Sequence, residues 1–173
     1  MRVLVLGLGN DLAGDDAAGL LVARAVREDL RGLADVAESG ASGIALIEEL
    51  AGYDRVIVVD AIRTGRRPPG EVVELDLRDV GPVVAPSLHQ AGLPELAAVA
   101  ARLGLAFPEH SIVMAVEVLD PYTIGAPVSA PVRRALPEIA RRVRAQVRRW
   151  WNEDAARGAS GRTGERRARL PGG

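Results

Sequence analysis

Three side chains set the chemistry open to this chain: Asp16, Asp60 and His89, with Asp15 beside the first and Glu38 as a further acid. Carboxylate oxygen and imidazole nitrogen together suit a borderline divalent ion such as nickel, zinc, iron or manganese. Three protein ligands leave coordination positions open for a substrate or for ligands from a partner. The same groups serve as proton acceptors and donors in hydrolysis. His89 and His110 are the only imidazoles in the 173 residues. His110 follows Pro108-Glu109 at the start of a strand, which puts it at the opposite end of the sheet and reads as structural.

The residues that are missing narrow the search further. Without cysteine there is no disulfide, no thiolate metal site and no cysteine nucleophile. All 22 basic residues are arginine, so Schiff-base chemistry and Ser–Lys dyads are excluded. No His-Glu-x-x-His occurs and no serine sits in a Gly-x-Ser-x-Gly elbow. Twenty-two basic against 23 acidic residues give a net charge of −1, which offers no field for nucleic acid. The apolar run at Val3–Leu6 is too short for a signal peptide and no stretch approaches bilayer length. The expectation is a cytoplasmic protein with no membrane insertion and no nucleic-acid partner.

The elements that must position these groups alternate. Val3–Leu6 is an unbroken apolar run, as in a strand buried on both faces. The loop from Gly7 to Gly14 leads to a helix with Ala18, Leu21, Val22, Ala25 and Val26 expected inward. Asp35–Glu38 reads as a weaker strand, Ile44–Leu50 as a helix, and Arg55–Asp60 as a β-branched strand. Glu71–Leu75 suits an antiparallel edge strand. A helix follows with Leu93, Leu96, Ala97, Ala100 and Leu103 inward, stopped by Gly104. Ser111–Val118 reads as the last strand. Ser129 then caps a final helix with Pro131 in its first turn, and its apolar stripe runs from Val132 to Val147. Pro137 is a possible kink in it.

This order predicts an α/β three-layer sandwich of phosphorylase/hydrolase-like type: a mostly parallel, twisted five-stranded sheet with helices on both faces. A single domain over residues 1–151 is expected, with a disordered Arg/Gly-rich tail over 152–173. Ligands of such sheets bind outside the carboxyl ends of the strands, where Asp16, Glu38, Asp60 and the Ser87-Leu88-His89-Gln90 segment fall.

Each group also has a plainer reading. Acids in a first helical turn favourably face the helix dipole, and neighbouring helical residues point about 100° apart, so only one of Asp15 and Asp16 can face a given site. An aspartate that ends a strand is commonly a turn former, and a loop histidine is commonly a solvated group. Gly7-Leu8-Gly9 lacks the third glycine of a dinucleotide fingerprint, because Leu12 stands there. A non-catalytic α/β module that binds a nucleotide or metal through the Gly7–Asp16 loop is therefore the competing reading.

The ordered set of motifs resembles a known family. The run Met1-Arg2-Val3-Leu4-Val5-Leu6-Gly7-Leu8-Gly9-Asn10 with Asp15-Asp16 and Gly19, then Val58-Val59-Asp60-Ala61, then Ser87-Leu88-His89-Gln90-Ala91-Gly92-Leu93, is similar to the endopeptidases that mature nickel–iron (NiFe) hydrogenases. The similarity spans Met1 to Trp150. It implies a peptidase, grouped with the aspartic peptidases, that removes the C-terminal extension of a hydrogenase large-subunit precursor once nickel has been inserted. It implies that Asp16, Asp60 and His89 bind the metal, and that the nickel is carried by the substrate. Where many relatives have an aspartate followed by two glycines, this chain reads Glu38-Ser39-Gly40.

Overall fold

The computed structural model describes residues 1–76 and 93–165. Five strands, β1 (Val3–Leu8), β2 (Asp35–Ser39), β3 (Arg55–Ile62), β4 (Val72–Asp76) and β5 (His110–Glu117), form one sheet in the order β2-β1-β3-β5-β4. The pairs β1–β2, β1–β3 and β3–β5 are parallel, and β4 joins antiparallel to β5 at the edge. The expected fold class and the edge position of the Glu71–Leu75 segment are thus observed.

Two apolar layers follow from the two-residue period of the strands. Val3, Val5, Ile57, Val59, Met114 and Val116 face α1 (Ala18–Val26) and α4 (Ala130–Glu165). Leu4, Leu6, Val56, Val58, Val113 and Ala115 face α2 (Leu46–Leu50) and α3 (Leu93–Arg102). Every residue of β1 and β3 is buried, as both-face coverage requires.

Several details differ from the sequence expectation. On α1, Gly19, Leu20 and Ala23 join Ala18, Val22 and Val26 in the interior, while Ala25 is exposed and Leu21 half-buried. On α3, Leu96 and Ala100 are buried, but Ala97 is exposed, as is Leu103 just past the end of the helix. Ser129 stands one residue before α4, yet its hydroxyl makes no hydrogen bond; its carbonyl accepts the Arg133 N–H at 2.9 Å. The helix runs through Pro137 and continues past Asn152 to Glu165. Arg55 at the start of β3 holds Glu153 at 3.0 Å, so the helix is tied to the body beyond the change in composition. Among the described residues no helix is long and apolar enough to cross a membrane.

Candidate active site

Three glycines bring the first loop onto the carboxyl end of the sheet. A Cβ on Gly7 would lie 2.3 Å from the Gly19 carbonyl oxygen. One on Gly19 would lie 2.3 Å from the carbonyl oxygens of both Leu8 and Val59. The N-terminal end of α1 therefore rests directly on the backbones of β1 and β3, with no side chain between. Gly9 has φ +148°, and a Cβ there would sit 2.0 Å from the Asp16 carbonyl oxygen. The glycines are used for close packing of backbone on backbone.

This packing seats a 3-10 turn, Gly14–Ala17, at the head of α1 and against β3. The turn carries both adjacent aspartates, and the two are buried. Asp15 is a structural clasp. Its Oδ2 accepts the backbone N–H groups of Leu119 (3.0 Å) and Asp120 (3.1 Å), and its Oδ1 accepts that of Ser129 (2.6 Å). Its own N–H donates to the Asp120 carbonyl at 3.0 Å. One carboxylate thus ties the β5–α4 connection to the start of α1. The division of labour that spacing left open between the two acids is resolved for Asp15.

Asp60 is completely buried near the end of β3, and its Oδ1 accepts the Ala61 N–H at 2.8 Å. By alternation it shares the α2/α3 face with Val58 and Ile62. Asp16 and Asp60 accordingly stand at the same carboxyl edge of the central β1–β3 pair. His89, the third expected group, lies outside the described residues. His110 begins β5 opposite Arg55, at the amino edge, as its sequence position implied. Among the described residues no three His, Cys, Asp or Glu side chains form a cluster able to hold a metal. Two carboxylates from this edge are hard oxygen donors, and a histidine would complete a set suited to a borderline ion.

Glu38, at the end of β2, is engaged by two arginines: Arg24 Nε at 2.7 Å and Arg27 at 2.7 Å. Arg24 also holds Asp11, whose carboxyl is drawn below the usual range chiefly by that hydrogen bond, and the two acids together raise the arginine's own pKa. These pairs link the first loop, α1 and β2 at the rim.

The sequence reading passed over Glu117. It is buried at the end of β5, where it accepts the Thr64 and Gly65 N–H groups (2.8 and 2.7 Å) and the Thr64 hydroxyl (2.6 Å). It fixes the chain leaving β3 just beyond Asp60. The available signal was an acid closing an apolar strand, Val113-Met114-Ala115-Val116-Glu117, the same pattern that drew attention to Asp60.

Comparison with known proteins places this arrangement. A family model described as hydrogenase maturation protease matches residues 22–146. The chain is 32% identical over 153 residues to a hydrogenase expression/formation protein of Rhizobium leguminosarum bv. viciae, covering 86% of this chain and 75% of that protein. It is 30% identical over 146 residues to the hydrogenase 2 maturation protease of Escherichia coli K12, covering 80% and 88%. Among solved structures, the hydrogenase maturating endopeptidase HybD of Escherichia coli superimposes with a TM-score of 0.68 at 24% identity, over 86% of this chain and 93% of that one, a likeness of fold.

Proposed function

The chain belongs to the hydrogenase maturation protease family, and from that premise we propose that it removes the C-terminal extension of a nickel–iron hydrogenase large-subunit precursor after nickel insertion. Asp16, Asp60 and His89 recognise the nickel, which arrives with the substrate. The observation that carries the reading is the placement of two buried acids, one in the turn that heads α1 and one near the end of β3, at the carboxyl end of the sheet. His89 enters the reading from its Ser87-Leu88-His89-Gln90 segment, four residues before Leu93 in the sequence.

Hydrolysis adds a water oxygen to the scissile carbonyl carbon, breaks the C–N bond and delivers a proton to the departing amine. Two routes use the same residues. In one, nickel held jointly by precursor and protease polarises the carbonyl or orients the water. In the other, an aspartate takes the water's proton as general base. The reaction is assigned to the cytoplasm.

The test is incubation with precursor loaded with nickel or left empty, read as a size shift. Cleavage is expected only of the loaded form. The Asp16→Ala, Asp60→Ala and His89→Ala proteins are expected to fold and leave it uncut. Efficient trimming by the Asp60→Ala protein would remove the basis of the assignment.

A further inference from the structure

Two loops beside the candidate site expose large apolar side chains that the fold does not need. Leu12 (66% exposed) lies on the first loop, and Leu119 (56%), Tyr122 (54%) and Ile124 (68%) lie on the β5–α4 connection. Exposed apolar residues scattered singly are ordinary, but a group on touching segments marks an interaction surface. These segments do touch: the Gly125 N–H donates to the Leu12 carbonyl at 2.7 Å, and a Cβ on Gly14 would lie 2.8 Å from the Asp120 carbonyl oxygen.

The loops are held in shape from within. Asp15 accepts the Leu119 and Asp120 N–H groups, and Asp120 Oδ1 accepts those of Tyr122 (3.0 Å) and Thr123 (3.1 Å). Gly125 provides a left-handed turn at φ +78°. A surface ordered before contact loses less freedom on binding, which favours affinity. The surface is also continuous with the acids. Leu12 is four residues before Asp16, and the Tyr122 ring lies 5.8 Å beneath the guanidinium of Arg63, three residues after Asp60.

We propose that Leu12, Leu119, Tyr122 and Ile124 form the docking surface for the precursor polypeptide, taking large apolar side chains next to the bond that is cut. This rests on the processing reading above. The occupant is the substrate chain because the surface adjoins both acids: Leu12 is joined to Asp16 by three residues, Tyr122 meets Arg63 just beyond Asp60, and Asp15 beside Asp16 holds the Leu119–Asp120 backbone. Arg63 beside the aromatic ring gives the surface a cationic margin that suits a backbone carbonyl or a carboxylate of the same segment.

The experiment compares the wild-type protein with a Leu12→Ser, Tyr122→Ser, Ile124→Ser triple variant on nickel-loaded precursor. All three positions are solvent-exposed, so the thermal melt is expected to be unchanged. KM is expected to rise at least about tenfold with kcat within about twofold, the signature of lost substrate binding. If the triple variant does not fold, Ile124→Ser alone is expected to raise KM about threefold. A variant that cuts with unchanged KM overturns the docking surface and leaves the processing reading standing. A wild-type protein that leaves loaded precursor uncut overturns both. Self-association of the wild type that the variant loses, with KM unchanged, assigns the surface to a second copy of this chain and overturns the proposal.

Discussion

The Asp15 carboxylate accepts the backbone N–H of Ser129 at 2.6 Å across 114 residues of sequence, and so joins the first helix to the last. Two more N–H groups, from Leu119 and Asp120, converge on the same carboxylate. Asp15→Ala would leave three donors without their acceptor in a part-buried position. At about 1–3 kcal/mol for each buried donor left unmade, a loss of roughly 3 kcal/mol or more is expected. Urea unfolding measures it. A variant within about 0.5 kcal/mol of wild type would mean that water replaces the carboxylate without cost.

Gly19 and Gly32 are both glycines, yet alanine should act differently at each. At Gly19 the added methyl meets two backbone oxygens at 2.3 Å, and neither β1 nor β3 can yield without breaking its ladder. A destabilisation at or above about 3 kcal/mol is expected, the upper end for overpacking. At Gly32 (φ +78°) nothing lies within 4 Å of the methyl, so only the left-handed backbone is strained, at about 1 kcal/mol. Equal melting temperatures for the two variants would contradict the close approach of α1 to the sheet.

Glu117→Gln keeps the shape of the side chain but puts an amide where three donors now meet carboxylate oxygens. Faster hydrogen exchange at Thr64 and Gly65 is the expected readout, with a stability loss of about 1–3 kcal/mol. Unchanged exchange at both amides would show that the segment after β3 is fixed by other contacts.

Glu138 on α4 is paired with Arg141 (2.7 Å) and Arg142 (3.0 Å), and the hydrogen bond from Arg141 is the chief reason its pKa falls to about 2. A depressed folded-state pKa contributes stability that is present above the ordinary carboxylate value, and that is lost as pH falls through about 2. NMR titration of the Glu138 side chain should show its midpoint well below those of unpaired glutamates. High salt should move it back upward, because the pair is exposed to solvent. A midpoint in the ordinary range at low salt would show the pairing absent in solution.

Much of the fold was legible because its strands are extreme. Val3–Leu6 and Arg55–Asp60 are so apolar that only a position covered on both faces suits them, and both are central. The inward face of α1 was drawn towards Leu21 and Ala25, whereas Gly19, Leu20 and Ala23 complete it. Gly19 and Ala23 face inward since the helix lies too close to the strands for anything bigger, while Ala25 faces water. Ser129 looked like a helix cap from its residue type, but Asp15, far away in sequence, takes its N–H and its hydroxyl makes no bond. The carboxyl-edge placement of Asp16 and Asp60 could be read from strand order. The clasp role of Asp15 and the anchoring role of Glu117 could not, because their partners are backbone groups of loops whose course no local pattern records. His89 was singled out from sequence and lies outside the described residues.

The last helix carries a practical consequence. It begins beside the carboxyl edge and passes the opposite end of the sheet, where Arg55 meets Glu153. Its 36 residues span about 54 Å at 1.5 Å each, well over the length of the eight-residue strands it lies along. A fluorophore or purification handle grafted at its far terminus would hang from the pole remote from Asp16 and Asp60. Tethering this molecule to a bead by that point should leave turnover untouched.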